Sequence, residues 1–203
     1  MNWSLKRWDF YSGFYDDLFS FERQRGRSIE IAALKPGERI LISGCGTGLD
    51  LHLIPEGVEI DAVDLSPGML DKARQKKRAA RCQVMNAQQL EFQDAAFDAV
   101  VLHLIVAIVP DPLACLREAA RVLKPGGRVM IFDKYFHGPG QPRLIRRLLN
   151  PLARWIATDL NTRTLELAAQ VGLHVVHEES AMLNGMFRIA RLERRTPAPG
   201  AAA

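Results

Sequence analysis

The feature that most constrains this chain is a glycine-rich turn that directly follows a short apolar segment. Residues 39–43 read Arg-Ile-Leu-Ile-Ser, which predicts a buried strand, and residues 44–48 read Gly-Cys-Gly-Thr-Gly. Glycine is required where a backbone turns tightly or where a ligand approaches main-chain atoms closely. The pattern therefore predicts a ligand-binding turn between the first strand of an α/β sheet and a following helix.

The spacing of the glycines separates the common nucleotide-binding loops. A dinucleotide fingerprint, GxGxxG, needs a third glycine at position 49, which is Leu49. A phosphate-binding P-loop needs Lys and then Ser or Thr after its last glycine, where this chain has Leu49 and Asp50. The GxGxG spacing therefore disfavours an NAD-dependent oxidoreductase and a P-loop nucleotidase.

Short apolar segments alternate with helical ones along most of the chain. Strands are predicted at 39–43, 58–63, 81–85, 97–102, 128–133, 173–177 and 185–192. Helices are predicted at 66–78, with Ser66 as N-cap and Pro67 in the first turn, and at 112–123, 142–156 and 162–171. Strict alternation predicts βαβ units and a parallel sheet.

Composition and charge describe an ordinary globular chain. Its 203 residues, 48% of them hydrophobic and with a formal net charge of +4, fit one α/β domain with a small extension. Its three cysteines, Cys45, Cys82 and Cys115, lack CxxC spacing, which argues against a disulfide framework or a metal site. We expect a cytoplasmic protein, because no signal-like or membrane-spanning apolar run is present.

The sequence suggests three regions. Residues 1–34 are rich in aromatic side chains and predict a helical cap, residues 35–195 form the main domain, and residues 196–203 predict a disordered tail. Within the domain, residues 134–158 form an insert in which Leu recurs at helical spacing among four arginines of 143–154. This insert predicts either a basic amphipathic helix lying on anionic lipid or a helix packed on the sheet.

Asp64 ends the second predicted strand, about 20 residues beyond the first glycine. In doubly wound folds a carboxylate at this place accepts hydrogen bonds from the hydroxyls of a ribose. The glycine turn and Asp64 together favour an adenosine-containing ligand.

Four blocks in order, 39–48, 63–70, 97–101 and 120–127, resemble the class I S-adenosyl-L-methionine (SAM) dependent methyltransferases. The resemblance covers about residues 35–192 and implies SAM as cofactor. It also implies a doubly wound, Rossmann-like α/β fold whose seven-stranded sheet is mostly parallel, with the last strand antiparallel.

The resemblance implies a set of cofactor-binding residues, which divides by the part of SAM that each residue would meet. The methionine and ribose would be lined by the loop Gly44, Cys45, Gly46, Thr47 and Gly48, and the ribose diol would be held by Asp64. The adenine would be flanked by Leu65 and Met69 and met at its edge by Asn86 and Ala87. His103 would lie beside the sulfonium, and Tyr11 and Tyr15 would close over the cofactor.

Two positions depart from the family. Ile42 replaces its usual acid two residues before the first glycine, and Asn86 replaces a frequent Asp.

Methyl transfer needs a general base only when the acceptor carries a proton whose loss helps the reaction. The candidates are His103, Asp133, Tyr135 and His137, with His103 as the candidate catalytic residue. The turn 109–112 and the basic insert resemble small bacterial phosphatidylethanolamine N-methyltransferases, and the ubiquinone and menaquinone C-methyltransferases are similar too.

The acceptor is therefore expected to be apolar or lipid-like, and a phospholipid amine is one such acceptor. Peripheral membrane contact is expected through residues 143–155. A small-molecule thiol, phenol or quinone acceptor and a non-catalytic SAM-binding module are the alternatives. A nucleic-acid acceptor is disfavoured, because the fourth strand is followed by Leu104 and Ile105 rather than by the Pro-Pro-aromatic motif of base-modifying enzymes.

Overall fold

The computed structural model describes residues 20–76, 80–135 and 162–194, and within them seven strands form one sheet. The strands are β1 (Arg39–Ser43), β2 (Glu59–Asp64), β3 (Arg81–Val84), β4 (Phe97–His103), β5 (Leu123–Lys134), β6 (Leu173–Met182) and β7 (Phe187–Arg194). The helices of these ranges are α1 (Glu22–Ala32), α2 (Pro67–Gln75), α3 (Pro112–Val122) and α4 (Thr164–Gln170).

The strand order is β3-β2-β1-β4-β5-β7-β6, and all pairs are parallel except those that β7 makes with β5 and β6. This order confirms the predicted doubly wound α/β fold with an antiparallel last strand. From β1 the chain first adds strands on one side, β2 and β3, and then continues on the other side with β4, so the strand order reverses between β1 and β4. Ligands of such sheets bind outside the carboxyl ends of the strands at this switch point.

Apolar side chains cover both faces of the sheet, so the central strands are continuous apolar runs. On one face Ile40, Ile42 and Val101 pack with α1, and on the other Leu41, Val100 and Leu102 pack with α3 and α4. The two layers hold the carboxyl ends of β1 and β4 in fixed positions.

Side-chain caps define where two of the helices begin. The Ser66 hydroxyl accepts a hydrogen bond from Met69 N at 3.2 Å, and the Asp111 carboxylate accepts one from Ala114 N at 3.0 Å. A proline occupies the first turn in both helices, where its missing N–H costs nothing. The predicted cap at Ser66 is thereby confirmed.

The helix predicted after the glycine turn is wrong, since only a single 3₁₀ turn, Leu51–Leu53, is present there. Asp50 is drawn into the interior by Arg25 and His103, and Ile54 is extended before Pro55, which disfavours a helical residue in front of it. Strand β5 also begins earlier than predicted, at Leu123, because Leu123 pairs with Phe97 before an irregularity at 124–127.

The predicted helix at 142–156, the tail and most of the aromatic cap lie outside the described residues. Among the helices that the structure does describe, none is long and apolar enough to cross a membrane.

Candidate functional site

The glycine turn closes tightly over the end of β1. Its three glycines have φ values of 76°, 55° and 81°, which favour glycine. The amides of Gly44 and Cys45 both donate to the carbonyl of Val63, at 2.8 and 2.9 Å. The side chains of Cys45 and Thr47 are buried, and burial raises the pKa of the Cys45 thiol well above its usual range. Because these side chains are buried, the predicted contacts of the turn with a ligand would be made by its main chain.

Neighbouring side chains leave no room for a Cβ atom at two of the glycines. A Cβ on Gly44 would lie 2.7 Å from the side chain of Ile105, and one on Gly48 would lie 3.0 Å from Ala73 Cα and 2.8 Å from Leu51 Cδ1. The turn is consequently packed against α2 on one side and against the loop after β4 on the other.

Asp64 joins the glycine turn to the start of α2. One oxygen of its half-buried carboxylate accepts a hydrogen bond from Gly46 N at 2.8 Å, and the other accepts one from Ser66 N at 2.9 Å. A carboxylate has about four acceptor positions, so one group can hold loop amides and the hydroxyls of a ribose together. The predicted pairing of Asp64 with the glycine turn is what the structure shows.

An apolar surface lies directly beside this carboxylate. Leu65 is 41% exposed, and Val84, whose Cα pairs with Asp64 in the sheet, is 51% exposed. Met69 is buried behind them. Exposed apolar side chains next to a carboxylate that is predicted to hold a ribose would suit the face of a purine. Val84 escaped the sequence prediction, although an apolar residue at the end of an edge strand was the available signal.

Asn86 shapes the turn that follows β3. Its side-chain oxygen accepts hydrogen bonds from Gln88 N at 3.0 Å and from Gln88 Nε2 at 3.1 Å, and Ala87 beside it is buried. An Asn or Asp side chain bonded to the backbone two residues on is a standard turn former. Asn86 thus keeps the hydrogen-bonding ability of an Asp at this position without its charge.

His103 lies in the interior rather than on an open surface. His103 is only 4% exposed to solvent. Its Nδ1 lies 2.8 Å from Asp50 Oδ1, and its Nε2 lies 2.9 Å from Ser28 Oγ. Because both ring nitrogens already have partners, this geometry favours a structural role over direct contact with the sulfonium or the acceptor.

Asp133 supports the loop that follows β4. Its buried carboxylate accepts hydrogen bonds from Ala107 N at 3.0 Å and Lys134 N at 2.7 Å, and burial raises its pKa. In the same loop Leu104 has a φ of 59°, an uncommon value for Leu. The hydroxyl of buried Tyr135 donates to Glu178 at 3.2 Å. Both candidate bases therefore serve as buried hydrogen-bonding groups.

The structure thus brings together the glycine turn, Asp64 and Leu65 at the carboxyl ends of β1 and β2, and it places His103 behind them. Ile42 is buried in the apolar core between Ala62 and Val101. The remaining candidates, Tyr11, Tyr15 and His137, lie outside the described residues.

The sheet order, the antiparallel β7 and a glycine turn facing a strand-end carboxylate define a Rossmann-like protein of the methyltransferase fold. Comparison with known proteins agrees, since a family described as a methyltransferase domain matches residues 41–131. A chain of the Haloferax volcanii complex between the Trm112 methyltransferase activator and a methyltransferase has the same fold, with a TM-score of 0.77 and 18% identity over 93% of this chain and 97% of that one.

Two curated relatives are similar in sequence. A phosphatidylethanolamine N-methyltransferase of Cereibacter sphaeroides is 29% identical over 95% of this chain and 96% of its own length. A demethylmenaquinone methyltransferase of Corynebacterium efficiens is 36% identical over 66% of this chain, which spans 60% of that relative's length. Residues 41–131 therefore match a methyltransferase domain, and the similar proteins support a SAM-dependent methyltransferase whose cofactor is SAM.

Proposed function

We propose that this methyltransferase acts on an apolar or lipid-like acceptor and that the methylated group is the amine of a phospholipid. The supporting observation is the match with the Cereibacter phosphatidylethanolamine N-methyltransferase, which runs along 95% of the chain. That match extends beyond residues 41–131, the part matched by the general methyltransferase family. The segments outside this part, before β1 and after β5, are those expected to contact the acceptor.

The protein contributes to this reaction mainly by positioning the methyl donor and the acceptor. Bound SAM supplies a methyl group on a sulfonium sulfur, and the thioether that leaves on methyl transfer is already an excellent leaving group. Holding donor and acceptor in line is worth as much as ~7–11 kcal/mol. The glycine turn and Asp64 would fix the adenosyl end, and the loop at 104–107, supported by Asp133, would form the neighbouring edge of the slot.

The candidate bases that the structure describes are poorly placed to accept a proton from the acceptor. His103, Asp133 and Tyr135 are all buried and already hydrogen-bonded to protein groups. An amine reacts through its lone pair once it is neutral, so its proton can leave to water before methyl transfer. The proposed reaction therefore needs no protein base among these three residues.

Lys134 supports an acceptor that carries a negative charge. It ends β5 at the carboxyl edge of the sheet, and its ammonium lies 5.4 Å from the ring centroid of Phe187. Burial lowers its pKa against the attraction of the neighbouring Asp133 carboxylate, and among the described residues its ammonium makes no ion pair within 4.0 Å. Desolvated cations are normally paired. The phosphate of a phospholipid headgroup would supply a direct ion-pair partner.

Lys134→Met is expected to raise the KM for phosphatidylethanolamine about tenfold or more, since a charged hydrogen bond contributes ~1.5–3 kcal/mol. The Kd for SAM should stay within about twofold of the parent value. Steady-state kinetics with mixed vesicles and calorimetry with SAM measure the two quantities.

The matched control is Lys124→Met. Lys124 forms an ion pair with Asp98 at 2.8 Å, and Asp98 lies at the amino end of β4, away from the slot. An equal change of KM in both lysine variants would contradict the role of Lys134 in acceptor recognition.

The direct test incubates the protein with methyl-labelled SAM and vesicles of phosphatidylethanolamine. Labelled N-methyl phospholipid is the expected product.

Methylation of a quinone ring is the second candidate function, favoured by the demethylmenaquinone methyltransferase relatives. Label in a demethylated quinone and not in phospholipid would replace the proposal. SAM binding without label in either acceptor, or in small amines, thiols and phenols, would favour a non-catalytic SAM-binding module.

The proposal includes peripheral contact with anionic lipid through residues 143–155, on the inner face of a cytoplasmic membrane. Four arginines of this stretch, Arg143, Arg146, Arg147 and Arg154, carry the charge for it. Replacing Arg143, Arg146 and Arg147 by Gln should weaken co-sedimentation with phosphatidylglycerol vesicles. Unchanged sedimentation of this variant would argue against the contact.

A further inference from the structure

A buried polar network connects α1 to the glycine turn and to β4. It consists of Arg25, Ser28, Asp50 and His103, each of which is at most 4% exposed. Arg25 Nη1 donates to both oxygens of Asp50, at 3.0 and 2.8 Å, and His103 lies between Asp50 Oδ1 at 2.8 Å and Ser28 Oγ at 2.9 Å. Every member of the network therefore has a partner in another element.

The network reaches both ends of the glycine turn. Asp50 is two residues beyond Gly48, and Gly48 is hydrogen-bonded to Cys45 on one side and to Leu51 on the other, at 2.9 and 3.1 Å. A displacement of Asp50 would consequently displace the end of the turn. His103 is the last residue of β4, two positions before Ile105, whose side chain packs against Gly44.

Arg25 extends the network to the beginning of α1. Its Nε donates to the carbonyl of Ser20 at 2.9 Å, while its Nη1 holds Asp50. The position of the turn is thereby tied to the point at which the N-terminal segment joins the domain.

Stability alone is a weak reason for such a network. Burial opposes the charge of Asp50, but His103 and Arg25 outweigh it and hold the pKa of Asp50 well below its usual range. Buried ion pairs often contribute no more to stability than apolar residues of the same volume. The role of the buried Asp50–Arg25 ion pair is therefore better inferred from its location, beside the glycine turn.

Ile42 supplies the complementary observation. The acid that the family usually carries two residues before its first glycine is absent, and Ile42 packs in the apolar core instead. Asp64 holds the turn from the end of β2, through Gly46 N at 2.8 Å. Asp50 is the buried carboxylate that is connected to it from the opposite end.

We infer that Asp50, held by Arg25 and His103, is a positioning residue for SAM, which fixes the glycine turn in place of the acid missing at position 42. The affinity for SAM then depends on side chains of α1 that do not touch the cofactor. This inference concerns the cofactor alone and holds whichever acceptor is methylated.

The test compares Asp50→Asn with Asp61→Asn. Asp61 is also buried, at 1% exposure, and it pairs with Arg39 and Arg81, both at 2.8 Å, in the first half of β2. Asp50→Asn should raise the Kd and KM for SAM about tenfold or more while kcat at saturating SAM stays within about twofold. Asp61→Asn should leave all three unchanged, although both variants lose stability.

Two further measurements keep the inference testable if Asp50→Asn does not fold. Ser28→Ala removes only the partner of His103 Nε2 and should raise the Kd for SAM about threefold. In the parent protein, ¹⁵N imidazole spectra should show His103 shifting on addition of SAM, whereas His177, paired with Glu179 on β6 at 2.8 Å, should not shift. Unshifted His103 signals at saturating SAM, or equal SAM affinities of Asp50→Asn and Asp61→Asn, would overturn the inference.

Discussion

Asp64→Ala is expected to raise the Kd for SAM about 100-fold or more. The substitution removes the predicted acceptor of both ribose hydroxyls, and each hydrogen bond to a charged group contributes ~1.5–3 kcal/mol. Two such bonds at the lower limit, ~3 kcal/mol together, already correspond to a factor of about 100 in affinity. It also removes the partner of Gly46 N and Ser66 N, which hold the turn against α2 at 2.8 and 2.9 Å. Titration calorimetry with SAM measures the loss.

Two variants separate the ligand effect from a general loss of structure. Asp64→Asn keeps one carbonyl acceptor and should fall between the parent and Asp64→Ala. Asp71→Asn removes a carboxylate on the exposed side of α2, where it pairs with Arg74 at 2.9 Å, and should bind SAM as the parent does. If Asp64→Ala bound SAM within about threefold of the parent, the slot at the end of β2 would not be the cofactor site.

The elements that the sequence predicts well are those with local signals at their ends. β1 has the predicted bounds, and α2 begins where Ser66 and Pro67 predict it. The direction of β7 was expected from the family resemblance, but it has a simple physical reason. Residues 183–186 alone connect β6 to β7, and so short a connection joins only antiparallel strands.

The site was predictable where it depends on spacing along the chain. The glycine turn and Asp64 are neighbours because parallel strands β1 and β2 end at the same edge, and each carries its residue at its end. The resemblance implies that Asn86 meets the adenine edge, but it does not predict the turn that Asn86 forms, because the hydrogen bonds to Gln88 follow from local geometry that composition does not reveal.

The environment of His103 was not predictable, because its partners are distant in sequence. Asp50 is 53 residues away and Ser28 is 75 residues away. The same contacts explain the missing helix after the glycine turn. Asp50 faces inward to meet Arg25 and His103, so tertiary contacts override the local preference. Sequence patterns predict candidate binding residues but not the buried residues that hold them in place.

Gly48→Ala is the second variant with a large expected effect. Gly48 has a φ of 81°, which costs an L-residue about 1–2 kcal/mol. The new methyl group would also lie 2.8 Å from Leu51 Cδ1 and 3.0 Å from the backbone of Ala73, and such overpacking adds about 1–3 kcal/mol. The free energy of unfolding should fall by about 2–5 kcal/mol, and SAM binding should be lost because the turn must move away from α2.

Gly37→Ala and Gly172→Ala are controls for backbone strain without the clash. Their φ values are 85° and 79°, close to that of Gly48, but a Cβ at either position has nothing within 4 Å. They should lose only about 1–2 kcal/mol and keep the parent affinity for SAM. Urea unfolding and calorimetry on all three variants isolate the steric contribution. If Gly48→Ala behaved like Gly37→Ala in both measurements, close packing of the turn against α2 would not be what requires glycine at position 48.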